Sequence, residues 1–445
     1  MSGLFCVSFA EHPHRMAKTE GMDMQTQRFG DKGIFVKYLQ TALLRAGEDA
    51  GNVDGIFGRR TERALIRFQD RFGLRADGIV GHLTRAALWQ YLCGSIFTTV
   101  RTGETVDSIA ERFRTSVQSI RIANPAATFS EGEQIIVPLN FDIVFTDLPY
   151  SSFLTACVLE GLTLRYPFLV KYPIGRSVIG KRIEAIRIGA GPLRIGVNAA
   201  HHANEWITTP LVLLFLERYA KALSESGTIG NVSAQKLYES STLTLIPLVN
   251  PDGVDLVNGA FTDGDSYYES AKALSAFYPA IPFPDGWKAN IRGIDLNLGY
   301  PTGWENARAI KFAQGFTRPG PRDYTGNVPL ETPENRAMAE LTRQERFDRV
   351  LAYHTQGSEI YYSYQGRAPY GSKALAERFA AVSGYTVGNV PYNSSFAGYK
   401  DWAIDAFGIE AFTIEAGRGE NPLPIDDLMS LYAENEGIFT NALLG

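Results

Sequence analysis

The sequence predicts a multidomain protein in which a small three-helix unit and a β-α-α-β unit precede a large α/β unit. Three observations carry that expectation. With 445 residues the chain is longer than the size at which one hydrophobic core stops growing, so it must divide. A short turn pattern, Asp-Gly-apolar-apolar-Gly with a Thr three residues on, occurs twice before Ala86 and marks a compact repeated element. From about Ser151 to the end, short near-continuous apolar runs alternate with stretches of helical spacing, as expected for helices covering a mostly parallel or mixed sheet.

Hydrophobic residues make up 45% of the chain, yet no run approaches the roughly 20 apolar residues that a membrane-crossing helix needs. A formal net charge of -5 argues against nucleic acid as a partner, and the arginines crowded between Arg59 and Arg85 read as solvated helix faces. Cys6, Cys93 and Cys157 show no paired spacing, so no disulfide framework is implied. Any metal held here must therefore rest on imidazole and carboxylate. Residues 1–27 are expected to form a disordered leader. Its apolar run from Leu4 to Ala10 lacks a basic flank and a small-residue cleavage site, which leaves no clear signal peptide.

Residues 28–94 read as three short helices. Apolar residues recur at helical spacing from Ile34 to Gln40, from Ala64 to Gln69 and from Leu83 to Leu92. Between them lie Asn52-Val-Asp-Gly-Ile-Phe-Gly58 and Ala76-Asp-Gly-Ile-Val-Gly81, where Asp-Gly supplies a positive-φ turn and Thr61 and Thr84 stand where a helix begins. The doubled pattern resembles the peptidoglycan-binding-1 domain, a small three-helix module of bacterial wall hydrolases. Residues 96–140 offer a strand and turn from Thr98 to Val106, two helices ending at Phe113 and Asn124-Pro125, and a last strand from Glu131 to Pro138. With Gly103-Glu-Thr105, Asn124-Pro125 and the closing Ile135-Ile-Val-Pro138, this segment resembles a LysM domain. That resemblance implies binding of N-acetylglucosamine glycans.

Residues 150–445 carry the chemistry. Leu193–Ala199 and Thr242–Val249 are expected as buried strands, and Thr208–Leu223 and Glu334–Arg346 as helices. Directly after the first strand, His202 and Glu205 stand three residues apart. His201 rivals His202 but lacks that spacing. After the apolar run Val350–Ala352 comes Tyr353-His354-Thr355, which offers a further imidazole. Two His and one Glu with an open fourth position form the ligand set of hydrolytic zinc sites, where the metal polarises a carbonyl and acidifies water. Such chemistry needs a base, and Glu415, in an apolar strand just before Gly417-Arg-Gly419, can take a proton from water and return it to a leaving nitrogen. Each residue alone has an ordinary reading: a chance H-x-x-E, a satisfied core histidine at His354, an ion pair between Glu415 and Arg418.

Two further marks join them, Asn250-Pro-Asp-Gly253 after the second strand and Gly293-Ile-Asp-Leu-Asn297. The ordered set H-x-x-E, N-P-D-G, G-x-D-L-N, H-T-Q-G and F-T-x-E resembles the M14 zinc carboxypeptidase family over nearly the whole third segment. The resemblance implies a central mixed sheet of about eight strands flanked by helices. It further implies one Zn2+ per chain on His202, Glu205 and His354, with Glu415 as general base and Asn297 as a contact to the substrate backbone. Departures from the family pattern are informative. Digestive members follow that Asn with an Arg that grips the substrate's terminal carboxylate in a forked pair; here Leu298 stands in its place. Asn204 replaces another Arg, and the family's catalytic-wall Tyr aligns with Asn393, next to Tyr392.

Tyr392 and Arg418 are taken as substrate contacts. Lys400 falls where the family sets side-chain preference, which implies a carboxylate-bearing leaving residue. Arg292 is the expected electrophile over the developing oxyanion, with a surface Arg as its alternative. The phrases H-H-A-N-E-W, W-K-A-N-x-R-G and Y-H-T-Q-G resemble the bacterial branch of γ-D-glutamyl-L-diamino acid endopeptidases. This implies a zinc peptidase that cuts peptidoglycan stem peptides at the γ-D-glutamyl to meso-diaminopimelate bond, in a wall-associated, extracellular or sporulation-related setting. The alternatives are a zinc carboxypeptidase acting on other wall-peptide bonds and a catalytically inactive wall-binding protein.

Overall fold

The computed structural model describes residues 26–445; all but the last two residues of the expected leader lie outside the described residues. Two compact units emerge, one made of the described residues up to Leu148 with Phe153–Leu169, the other of Pro149–Ser152 with Val170–Gly445. None of the described helices is long and apolar enough to cross a membrane.

In the first unit, helices α1 (Ile34–Arg45), α2 (Arg59–Arg71) and α3 (His82–Cys93) are separated by the two copies of the turn. A buried glutamine holds each copy. Gln40 Oε1 accepts from Gly55 N at 2.9 Å, while its Nε2 donates to Asp54 Oδ1 at 2.8 Å and Thr61 Oγ1 at 3.3 Å. Gln69 repeats this on Gly78 N at 2.9 Å, Asp77 Oδ1 at 3.2 Å and Thr84 Oγ1 at 3.2 Å. Gly55 and Gly78 both adopt positive φ, so the Asp-Gly-x-x-Gly-x-x-Thr spacing encodes one amide clamp used twice.

Further along, strand β1 (Ser95–Thr99) pairs antiparallel with β2 (Gln134–Pro138), and helices α4 (Val106–Phe113) and α5 (Val117–Ala123) connect them. The expected β-α-α-β order is thus observed. Thr105 and Ser108 cap α4 reciprocally. Asn124 ties the end of α5 to β2, its Oδ1 accepting from Ile136 N at 2.8 Å and its Nδ2 donating to Ile136 O at 2.6 Å. Helix α6 (Ser152–Arg165) follows, and from Phe153 onward it belongs to this unit. A side chain at Gly161 would put its Cβ 2.2 Å from the Cys93 carbonyl oxygen, so only glycine allows this approach.

The second unit is built on one eight-stranded mixed sheet, as the family resemblance implies. Its strands are β3 (Val170–Arg176), β4 (Arg182–Gly189), β5 (Leu193–Asn198), β6 (Ser241–Ile246), β7 (Arg349–His354), β8 (Glu359–Tyr361), β9 (Thr386–Val387) and β10 (Glu410–Glu415). The order across the sheet is β9-β8-β10-β7-β5-β6-β4-β3. The four central strands β10, β7, β5 and β6 run parallel to one another, so their carboxyl ends open on one edge. Helices α7 (Thr208–Ser224), α8 (Pro251–Val257), α9 (Pro333–Glu345), α10 (Tyr399–Phe407) and α11 (Leu428–Leu443) cover it. Both faces of β7 are buried: Tyr353 stacks on Phe439, which stacks on Phe215, whereas Val350 and Ala352 join Met338, Leu341 and Trp402 in a second cluster. That double coverage explains the near-continuous apolar runs.

Burial also shifts an acid of this unit. Glu334, in the first turn of α9, is fully buried, accepts from Val178 N at 3.0 Å, and is pushed up to about 7 by burial with help from nearby Asp252. A carboxyl raised in the folded chain stabilises it fully below its unfolded value, and that contribution is lost as the pH rises through about 7. Glu334→Gln removes the titration. Urea unfolding at about pH 5 and about pH 8 should show wild type losing on the order of 3 kcal/mol more than the variant over that interval; equal losses in the two proteins would rule the assignment out.

Candidate metal centre and active site

The functional side chains stand at the carboxyl ends of the parallel strands, where open α/β sheets place their ligands. Beyond β5 the chain turns at Ala200, which has positive φ, and enters a short 3-10 turn, Ala203–Glu205. Thr208 Oγ1 secures this turn by accepting from Ala200 N at 3.0 Å and donating to Glu205 O at 2.7 Å. Asn250, just past β6, donates to the carbonyls of His201 and Ala289, both at 3.1 Å, and caps α8 through Gly253 N. A Cβ at Gly253 would lie 2.6 Å from Ala289 O, so the Asn-Pro-Asp-Gly phrase is a staple that needs its glycine.

His202, Glu205 and His354 meet at this edge, with their ligand atoms all within 4.8 Å of one another. His202 Nδ1 lies 2.9 Å from Glu205 Oε1, His354 Nδ1 lies 2.8 Å from Glu205 Oε2, and the two Nδ1 atoms are 3.2 Å apart. Nitrogens bound to a tetrahedral zinc at about 2.05 Å stand about 3.3 Å apart, so the donor set fits that ion. On its far side, His202 Nε2 is 3.2 Å from Asp295 Oδ1, which leaves Nδ1 as the ligand atom and orients the ring. Burial by itself would raise the Glu205 carboxyl, but His202, Lys288 and His354 hold it well below the usual range. Against burial, Glu205 and Asp295 keep His202 at about 9.

His201 takes no part. Its Nε2 is bonded to the Tyr300 hydroxyl at 3.0 Å, inside the core. Glu415 ends β10 directly opposite His354 in the register of the parallel pair. Burial raises its carboxyl, and so does the Glu205 charge, against the opposing pull of His354.

Comparison with known proteins agrees with this geometry, for residues 156–436 match the zinc carboxypeptidase family model. The chain belongs to the M14 zinc carboxypeptidase family. It is a zinc-dependent peptidase. Residues 32–88 match the putative peptidoglycan binding domain. Over 286 residues the chain is 44% identical to gamma-D-glutamyl-L-diamino acid endopeptidase 1 of Lysinibacillus sphaericus, covering 64% of this chain and 70% of that protein. It is 39% identical over 281 residues to the uncharacterized protein YqgT of Bacillus subtilis (strain 168), covering 62% and 73%. Bovine thrombin-activatable fibrinolysis inhibitor, solved with tick carboxypeptidase inhibitor, shares the fold with a TM-score of 0.51 at 17% identity, over 67% of this chain and 97% of that one.

A cavity of about 700 Å³ opens beside the metal centre of this family member. Of the expected site residues, His202, Glu415, Asn297 and Lys400 line it, and so does Leu298. Asn297 Oδ1 accepts from Tyr399 N at 3.0 Å. Lys400 is buried, donating to Ser363 O at 2.6 Å and pairing with Asp401. Three others lie elsewhere. Arg292 is exposed and outside the lining, because Asn290 Oδ1 accepts from both Arg292 N and Ile294 N and turns the chain outward there. Arg418 is exposed and reaches Ser358 Oγ at 3.3 Å. Tyr392 is 66% exposed with its ring edge-on to Phe396, although its neighbours Pro391 and Ser394 border the cavity.

The cation that does face the centre is Lys288, whose Nζ donates to Glu205 Oε1 at 2.9 Å. It follows Trp287 within the W-K-A-N phrase, and Trp287 is fully buried with its Nε1 on Asn290 O. Asp295 was likewise visible inside G-x-D-L-N, but nothing local shows that it reaches His202. If Asp295 sets the ligand tautomer, Asp295→Asn should weaken zinc binding about 10- to 100-fold in competition with a chromophoric chelator. Unchanged affinity would remove Asp295 from the metal site.

Proposed function

We propose that this zinc peptidase hydrolyses the amide between the γ-carboxyl of D-Glu and the diamino acid, meso-diaminopimelate, in peptidoglycan stem peptides. The observation that carries this reading is Leu298 in the cavity wall, an apolar residue where a carboxypeptidase needs a cation for the substrate's terminal carboxylate. The activity named for the Lysinibacillus relative supports it.

Zinc, when bound by His202, Glu205 and His354, supplies Lewis acidity toward the scissile carbonyl and toward water. Glu415 takes the proton of the attacking water and delivers it to the leaving α-nitrogen of the diamino acid. A C–O bond forms, the C–N bond breaks, and the products are the glutamyl γ-carboxylate and a free amine. Lys288, in the role expected of Arg292, places a fixed positive charge where the carbonyl oxygen gains negative charge. Asn297 contacts the substrate backbone, and Lys400 meets the carboxylate of the leaving residue's side chain.

The reading divides the chain into wall-binding modules at 28–94 and 96–140 and a catalytic domain at 150–445. The β-α-α-β module binds glycan in the manner its LysM resemblance implies. Tethering to the wall raises the local concentration of stem peptide, in keeping with a cell-wall or spore-related location.

Purified muropeptides analysed by mass spectrometry test the reading. Diaminopimelate-containing fragments should appear with zinc and vanish with chelator. Glu415→Gln, with its zinc retained, should lower kcat on the order of 10³-fold, and Lys288→Met on the order of 10²-fold. Release of D-Ala in place of a diaminopimelate fragment would instead make the protein a carboxypeptidase.

A further inference from the structure

We infer that Arg322 is a specificity-determining residue that pairs with the free α-carboxylate of a γ-linked glutamyl residue. This deepens the proposed function and rests on it. In a γ-glutamyl amide the α-carboxylate stays free, attached three carbons from the scissile carbonyl carbon, whereas in an ordinary peptide bond it is consumed. An enzyme that selects the γ-linkage can therefore do so by holding that anion on the acyl side of the bond.

The structure supplies a cation in the right surroundings. Arg322 lines the cavity, on the same wall as Lys288, because Pro321 O accepts from Lys288 N at 2.7 Å and from Ala289 N at 2.9 Å. Its guanidinium is oriented: Nε donates to Asp323 Oδ2 at 2.7 Å. Asp323 is itself fixed, its N–H donating to Asp295 Oδ2 at 3.1 Å, so one residue separates Arg322 from the carboxylate that orients His202.

Asp323 does not belong to Arg322 alone. Asp323 faces two cations, Arg322 through Oδ2 and the buried Lys311 through Oδ1 at 2.6 Å. Neither cation therefore has that carboxylate to itself, although Asp295 also lines the cavity. Lys288, by contrast, is matched by Glu205. Arg322 spends only Nε on Asp323; its two terminal nitrogens have no hydrogen-bond partner among the described residues. Those nitrogens form the fork that takes a carboxylate in two parallel bonds. A side chain oriented at one edge and open at the other is preorganised for such a ligand.

The test compares two synthetic substrates on the zinc-loaded full chain: γ-D-glutamyl-meso-diaminopimelate and its analogue whose glutamyl α-carboxylate is an α-carboxamide. The pair keeps its shape and differs by one charge. Wild type should favour the carboxylate by about 10- to 100-fold in kcat/KM. Arg322→Met should bring the ratio near one by raising KM for the carboxylate substrate alone, and Arg322→Lys, which keeps the charge and loses the fork, should restore part of it. A wild type that cuts both substrates equally, or an Arg322→Met that slows both alike and keeps the ratio, overturns the inference while the proposed function stands. Cleavage of neither by wild type overturns both.

Discussion

A carboxylate taken almost wholly out of water is the constraint around which the second unit is arranged. Glu205 is 1% exposed, and an isolated charge at such a depth costs several kcal/mol. Two imidazoles, the Lys288 ammonium and the Thr355 N–H at 3.3 Å surround it. These partners come from the turn after β5, the end of β7 and the loop around Trp287, so satisfying one acid brings three distant stretches together. The same partners that compensate the charge in the protein alone are the ones a divalent cation would relieve, which makes ion binding and the order of this edge one equilibrium.

The scaffold that permits this is the run of four parallel strands. Since β5, β6, β7 and β10 end on one edge, whatever follows each strand is delivered to the same place: the His202 turn, the Asn250 staple, His354 and Glu415. Asn250 then bonds the two loops that carry His202 and Lys288. Asp295 extends the network outward, accepting from Asn297 N and Asp323 N while it faces His202. Backbone pairing thus sets the coarse position of each group, and buried amides and carboxylates set the fine one.

This hierarchy also explains what could be read from residues alone. Motifs that sit at strand ends were legible, because an apolar run followed by His, Glu or Asn reports both a strand and what it delivers. His202 was separable from His201 by its spacing to Glu205, and the structure sends His201 to Tyr300. Contacts that depend on how a loop turns were not legible. Arg292 was the expected electrophile, yet buried Trp287 and the Asn290 turn direct Lys288 inward and the arginine outward. The clamps of the first unit were hidden differently. Gln40 lies 14 residues before its Asp and Gln69 only 8 before its own, so the doubled turn repeats in sequence while the residue that holds it does not keep register.

Under the proposed function, the cavity charges give a physical account of how recognition in this chain would depart from that of a carboxypeptidase. There a single arginine collects the terminal carboxylate, and on this reading Leu298 in its place removes the reason to require a chain end. What stands here instead is distributed: Arg322 and Lys311 share Asp323 on one wall, and Lys400 pairs with Asp401 on another. Each cation is held by a neighbouring carboxylate before any ligand arrives. Prepaired cations pay little further desolvation when an anionic substrate enters and lose little side-chain freedom. On the proposed function, a ligand that bears acidic groups on both sides of the scissile amide would match such walls better than one whose only anion is its terminus.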